Sequence, residues 1–267
     1  MNNKFFQRII DFHAHVFPEK IVDKALVSIS EFYGIKMTGG GTAVDLLESG
    51  SKVNVDKYVI HSTATKAEQV AAVNQFIKKV KDSSDKFIGF GTLHPDFENM
   101  EDEFEKIRSF GLKGIKLHPE FQSFAIDDPS MMKIYSLCEG KLPILMHMGD
   151  DRGDSSSPAR LVRVIEKFPR LVFIAAHLGG YRMWKESCEL LAGKNIYFDT
   201  SSSLAFLSID EALKLIRKHG ADKVLFGSDY PMWDYKEELN RFNALPLDDD
   251  EKENILWKNA ASLLGIK

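Results

Sequence analysis

A chain of 267 residues, 44% hydrophobic and 28% charged, has the size and balance of one large globular domain spanning residues 1–267, since α/β barrels commonly build a single core from about 250 residues. With 35 basic against 39 acidic residues and a net charge of -4, it carries no excess of positive charge, so neither nucleic acid nor membrane is an expected partner. No window approaches the roughly 18 uninterrupted apolar residues of a membrane span. The apolar stretch before Asp11 and His13 is too short for a secretory core, so the expected setting is the cytoplasm. Cys138 and Cys188 read as two separate thiols on helices.

In chain order, the first short apolar run, Ile9 to His15, reads as a strand. An irregular stretch follows: two helical segments, Ile21 to Phe32 and Val44 to Leu47, flank Thr38-Gly39-Gly40-Gly41-Thr42. No phosphate-loop pattern accompanies these glycines, so the expectation is a flexible loop in a long excursion over a barrel mouth. Seven further apolar runs, Lys57 to His61, Phe87 to Leu93, Gly114 to His118, Pro143 to His147, Val172 to His177, Ile196 to Thr200 and Val224 to Ser228, read as strands. Between them apolar residues recur at helical spacing, as in Ala67 to Val80 and Glu101 to Phe110. Pro129 opens a helix over Ser130 to Glu139, Pro158 opens Ala159 to Phe168, and Ser208 is a fitting N-cap for Ile209 to Lys218, which Gly220 closes. Eight strands alternating with helices through right-handed crossovers predict a (β/α)₈ TIM barrel.

In such a barrel the C-terminal strand ends form the one deep cleft, and titratable residues gather there. His13 and His15 end the first strand, His147 the fifth and His177 the sixth, while Asp229 follows the eighth. Residues two apart share a strand face, so His13 and His15 can reach one ion. Imidazoles with a carboxylate suit Zn²⁺ first, and also accept Fe²⁺, Mn²⁺ or Co²⁺. A lone strand-end histidine is ordinarily a packing residue; the joint placement of several is what argues for a single divalent ion. Lys116 and His118 share parity on the fourth strand and are candidates for contact with substrate. Arg182, at the start of the sixth helix, is a candidate for receiving a substrate carboxylate. His61 and His94 read as loop or packing residues.

The segments Ile10-Asp11-Phe12-His13-Ala14-His15, Gly114-Ile115-Lys116-Leu117-His118-Pro119, Pro143-Ile144-Leu145-Met146-His147, Ala176-His177-Leu178-Gly179-Gly180 and Leu225-Phe226-Gly227-Ser228-Asp229-Tyr230-Pro231 together resemble the amidohydrolase superfamily. The resemblance is specifically to its amidohydrolase-related branch, which also contains aminocarboxymuconate-semialdehyde decarboxylase and related aromatic-acid decarboxylases. The resemblance implies that His13, His15, His147 and Asp229 hold the metal, that Asp229 also moves protons, and that His177 contacts substrate. Binuclear members bridge two ions through a carboxylated lysine on the fourth strand, where Lys116 stands; the Asp-x-His-x-His opening matches the mononuclear branch better.

The expected reaction is hydrolysis of a small ester, lactone or amide by metal-activated water, with Asp229 and His177 as catalytic groups. The alternative is nonoxidative decarboxylation of an unsaturated or aromatic acid. Decarboxylases of the branch tend to surround the substrate carboxylate with arginines, and this chain has none between Arg8 and Arg108. A third reading is a closed structural metal site on an interaction module. A small molecule is the expected ligand, and a symmetric homodimer the expected assembly.

Overall fold

The computed structural model describes residues 8–266. Eight strands are present: β1 (Ile10–His15), β2 (Lys57–His61), β3 (Phe87–Gly89), β4 (Ile115–Leu117), β5 (Ile144–Met146), β6 (Phe173–Ala175), β7 (Tyr197–Asp199) and β8 (Val224–Leu225). Each pairs in parallel with its neighbours in sequence, in two ladders, β1 to β3 and β4 to β8. Isolated bridges join the ladders at both seams, Gly91 with Ile115 and Ala14 with Tyr230. Backbone hydrogen bonds reinforce them: Lys116 N to Gly91 O at 2.7 Å on one side, Phe12 N to Phe226 O at 2.8 Å on the other. Sequential parallel strands joined by helices make the (β/α)₈ barrel.

Most strands are shorter than their apolar runs. Beyond Ala175, for example, the chain leaves the ladder, and His177 lies in a 3₁₀ turn (His177–Gly179) with a left-handed φ of 59°. From β3 onward the residues that end the runs thus sit on loops rooted in the barrel.

The helices relevant to the site are α1 (Val22–Tyr33), α2 (Ala43–Ser51), α3 (Val70–Asp82), α4 (Met100–Ser109), the short α5 (Pro119–Gln122), α6 (Met132–Cys138), α7 (Pro158–Lys167), α8 (Trp184–Leu190), α9 (Ile209–His219) and α10 (Tyr235–Asn243). Ser208 caps α9 by accepting from Glu211 N while the Glu211 carboxylate accepts from Ser208 N. The helices bury Leu46, Ile77, Phe104, Ile134, Leu161 and Leu215 against outward strand residues such as Tyr58, Ile60, Leu117, Met146 and Phe198. Cys138 and Cys188 are free thiols on α6 and α8. Among the described residues no helix is long and apolar enough to cross a membrane.

Inside the barrel, Ile10, Phe12, Val59, Phe90, Leu145, Ile174 and Leu225 form an apolar floor, closed from below by Trp257, Ala260 and Leu264. Side chains two residues further along each strand stand one layer higher. His61 therefore rises above Val59, and His147 above Leu145. Strand β1 would break this rule: with Ile10 and Phe12 pointing in, strict alternation would turn His13 and His15 outward.

A bulge corrects the direction. Between Asp11 and Ala14 three steps along β1 match two along β2, from Tyr58 to Ile60. The extra residue lets Phe12 and His13 both face the interior. Asp11 is left buried outside the ring, accepting from Ser228 Oγ at 2.6 Å, from the amides of Ser228 and His13, and from the Tyr235 hydroxyl. These bonds tie the bulge to β8 and α10. Tyr235→Phe removes one donor from a buried carboxyl and is expected to cost about 1–3 kcal/mol of stability, read as a lower urea midpoint with an unchanged slope.

The Gly39–Gly41 segment differs from the expected flexible loop. The amides of Thr38 and Gly39 both donate to Pro231 O at 3.0 Å, Gly41 N donates to the Tyr230 hydroxyl, and a side chain at Gly39 would collide with the Tyr230 ring. The excursion is pinned to the loop after β8 and roofs the barrel mouth.

Candidate functional site

Three side chains meet at the mouth. His13 Nε2 and His15 Nε2 are 3.3 Å apart, and each is 3.4 Å from Asp229 Oδ1. Ligand atoms held at about 2.0–2.1 Å by one tetrahedral ion are separated by about 3.4 Å, so the three atoms fit three corners of such a polyhedron. Burial pushes the His13 and His15 imidazoles below their ordinary range, leaving neutral rings. Burial alone would raise the Asp229 carboxyl, but its contacts with His13 and His15 hold it well below the usual carboxylate range. Neutral imidazoles and an ionised carboxylate are the forms that bind a divalent cation.

His61 lies beside this trio, fully buried. Its ring stands edge-on to His15 and His13, with centroids at 4.4 and 4.9 Å. Lys116, also fully buried, places Nζ 3.1 Å from His13 Nε2. Burial lowers its pKa to about 8, against the opposing pull of Asp199 and Asp229.

The remaining residues singled out in the sequence are distributed differently. His147 directs Nδ1 to His177 Nε2 at 2.9 Å and Nε2 to Gly149 O at 3.1 Å, so both its ring nitrogens are engaged away from the trio. His177 is anchored by Ser201, whose carbonyl oxygen is 3.0 Å from Nδ1. His118 stacks between Phe121 and His147, with centroids at 4.0 and 3.9 Å, and bonds the Tyr33 hydroxyl through Nε2 at 2.9 Å. Arg182 does not join them. It is exposed, with its guanidinium 4.0 Å above the Phe206 ring, and does not line the cavity.

Two acids were missed by the sequence reading. Asp199, at the end of β7, sets Oδ2 2.9 Å from His13 Nδ1, while Oδ1 accepts from the amides of His177 and Ser201. A carboxylate on Nδ1 fixes the tautomer whose Nε2 lone pair faces the trio. Its signal was available: it is an acid at a barrel-strand end. Glu120, on α5, accepts from Ser156 Oγ and brings Oε2 to 3.4 Å from His118 Nδ1. Nothing in the apolar pattern marks that residue.

Above the cluster opens a cavity of about 350 Å³, walled by Phe17, Ile29, Phe32, Tyr33, Met37, Phe121, Tyr181 and Met232, with His15, His118, His147, His177 and Asp229 at its base. Among the described residues no lysine or arginine lines it. The guanidinium nearest to the Phe32 wall, that of Arg152, lies 4.0 Å over that ring and donates to Asp150 at 2.7 Å. An aromatic wall of this kind binds flat, apolar ligands. Phe32→Ala is expected to raise KM about tenfold with little change in kcat, which corresponds to about 1.4 kcal/mol of binding common to ground and transition states; steady-state kinetics on any turned-over substrate checks it.

A cluster of imidazoles and one carboxylate at the C-terminal mouth of a parallel barrel, opening on a deep cavity, defines an enzyme of the metal-dependent barrel class. The amidohydrolase family pattern matches residues 10–266, and the chain belongs to that family. Among solved structures it is similar to 5-carboxyvanillate decarboxylase from Sphingomonas paucimobilis, with 17% identity and a TM-score of 0.75 over 98% of this chain and 100% of that one. It is also similar to a dihydroxybenzoic acid decarboxylase from Polaromonas with bound manganese, with 15% identity and a TM-score of 0.71 over 97% of each chain. A third likeness is to a probable 2-pyrone-4,6-dicarboxylic acid hydrolase from Acinetobacter baumannii, with 18% identity and a TM-score of 0.69 over 97% of this chain and 100% of that one. At these identities the likeness shows a shared fold.

Proposed function

We propose that the protein is a divalent-metal-dependent, nonoxidative decarboxylase of a small hydroxylated aromatic monoacid. The observation that carries this reading is the aromatic cavity, with no lysine or arginine on its walls among the described residues, ending on the His13, His15 and Asp229 trio. A carboxylate drawn into such a space loses its hydration, and departure of carbon dioxide disperses the charge that was desolvated. The walls fit one flat ring, and a second carboxylate would find no cationic side chain to meet it. The similar decarboxylases support the reading, which displaces hydrolysis as the leading activity.

When bound, the ion supplies a Lewis-acid anchor for substrate oxygens. In this reading His13, His15 and Asp229 hold it, with His147 the further ligand that the family resemblance implies. Manganese joins zinc as a candidate metal, given the manganese in the Polaromonas structure. Asp229 takes the proton of the substrate hydroxyl and returns it to the ring carbon that carbon dioxide leaves, so no water is consumed. His177 and His118 orient the carboxylate from the cavity base, Phe121 and Tyr33 clamp the ring, and Lys116 sets the charge beneath His13. Arg182 is left outside the binding set by its exposure.

Hydrolysis remains the second reading, favoured by His177, which faces the same space and could polarise a carbonyl, and by the similar pyrone hydrolase. The test is turnover by Mn²⁺- or Zn²⁺-loaded protein on a panel of hydroxybenzoates and of lactones in ²H₂O and H₂¹⁸O. The expected outcome is carbon dioxide release with one deuteron at the vacated ring carbon. Incorporation of ¹⁸O into a ring-opened or deacylated product, without carbon dioxide, overturns decarboxylation in favour of hydrolysis. A cytoplasmic homodimer completes the proposal; light scattering on the purified protein checks the assembly.

A further inference from the structure

We infer that Thr63 is a specificity-determining residue, whose hydroxyl pairs with a second hydroxyl of the substrate ring on the edge away from the carboxylate. This deepens the decarboxylase reading above and rests on it for the way the ring lies.

Three observations carry it. First, Thr63 lines the cavity, yet its hydroxyl is shielded from solvent and has no hydrogen-bond partner among the described residues. Three other hydroxyls on the same walls are engaged: Tyr33 with His118 Nε2 at 2.9 Å, Thr65 with Gln69 Oε1 at 3.1 Å, and Ser202 with Asp229. A buried hydroxyl without a partner forfeits its hydration, and a ligand group that pairs with it restores the loss. Second, the chain is pinned on both sides of it. Ser62 Oγ donates to Val16 O, Gln122 Nε2 donates to Ala64 O at 2.9 Å, and Thr65 N donates to Gln69 Oε1 at 3.0 Å. A polar group carried on backbone so held is preorganised for a ligand. Third, it stands across the mouth from the groups assigned to the carboxylate. Thr63 follows β2 and His177 follows β6, four strands away in an eight-stranded ring and so on the opposite side. A flat ring whose carboxylate meets His177 directs its far edge, carbons 4 and 5 of a 2-hydroxybenzoate, toward Thr63. A hydroxyl there can donate to Thr63 Oγ1 or accept from it. A bare C–H leaves the threonine unpaired, the difference by which a site rejects an analogue.

The probes are 2-nitrophenol and its four derivatives with one further hydroxyl, at the places of carbons 3, 4, 5 and 6 of 2-hydroxybenzoate. The nitro group stands in for the carboxylate and cannot leave as carbon dioxide, so binding is read without turnover. Each is titrated into Mn²⁺-loaded wild type, Thr63→Val and Thr63→Ser, with circular dichroism to establish folding. Wild type is expected to bind the 4- or 5-hydroxy probe about tenfold more tightly than 2-nitrophenol, the worth of one net hydrogen bond. Thr63→Val brings that ratio to about one, and Thr63→Ser restores it. The same ratio in wild type and in folded Thr63→Val overturns the inference while leaving the decarboxylase reading intact, and so does a gain confined to the 3- or 6-hydroxy probe. If wild type binds none of the five, the flat-monoacid reading falls and this inference with it. Should Thr63→Val not fold, Thr63→Ala, which also lacks the hydroxyl, gives the same ratio.

Discussion

Replacing Asp229 with asparagine is expected to abolish turnover, by at least about 10³-fold in kcat, while leaving the far-ultraviolet circular dichroism and the urea midpoint close to wild type. The side chain lies where two tasks meet. Oδ1 faces the Nε2 atoms of His13 and His15 at 3.4 Å, and Oδ2 accepts from the Ser202 hydroxyl. Asparagine keeps the shape and can still accept from Ser202. It cannot carry the negative charge that balances a dication, and it cannot take a proton and give it back. Divalent-metal affinity should therefore fall together with activity. An Asp229→Asn protein that turns over at the wild-type rate would assign the proton transfer to another group.

Asp199→Asn has the second largest expected effect, because it acts on His13 through the far side of the ring. The wild-type carboxylate can only accept, so the proton must sit on His13 Nδ1, 2.9 Å away, and Nε2 keeps its lone pair. An amide can present its NH₂ instead, turning the tautomer over and placing a proton where the ion would bind. Losses of about 10–100-fold in metal affinity are typical when such a partner is removed. Isothermal titration with Mn²⁺ or Zn²⁺ measures the effect, and raising the metal concentration should restore much of the activity. A direct catalytic defect would persist at saturating metal, so the two roles separate cleanly.

The barrel was legible because each strand is a short apolar run and each crossover has helical spacing, signals that survive in a single chain. The strand-end rule reached His13, His15, His147, His177 and Asp229 for the same reason. It could not reveal the β1 bulge, because Ile10, Phe12 and Ala14 fit plain alternation as well as Asp11, His13 and His15 do; the choice is made by Ser228 and Tyr235, more than 200 residues away. Asp199 was overlooked on a strand that was otherwise read correctly. Arg182 illustrates the opposite error: its place at a helix start suggested anion binding, but a left-handed φ of 62° turns the side chain outward onto Phe206. The cavity wall was beyond reach because Phe32, Tyr33 and Met37 come from the excursion, whose path depends on Tyr230 and Pro231.

The left-handed backbone at His177, Leu178, Ser202 and Asp229, with φ between 48° and 59°, limits how far this fold can be hardened without harm. Each such non-glycine residue costs of order 1 kcal/mol, and all four sit in the loops that end β6, β7 and β8. Glycine at Ser202 would relieve one of these strained positions. The same exchange would delete the hydroxyl that steadies Asp229 and accepts from Trp233 Nε1 at 2.8 Å. The bonds lost to a buried carboxylate and an indole cost about 1–3 kcal/mol, which outweighs the strain returned, so a thermostabilised form is better sought among the outer helices.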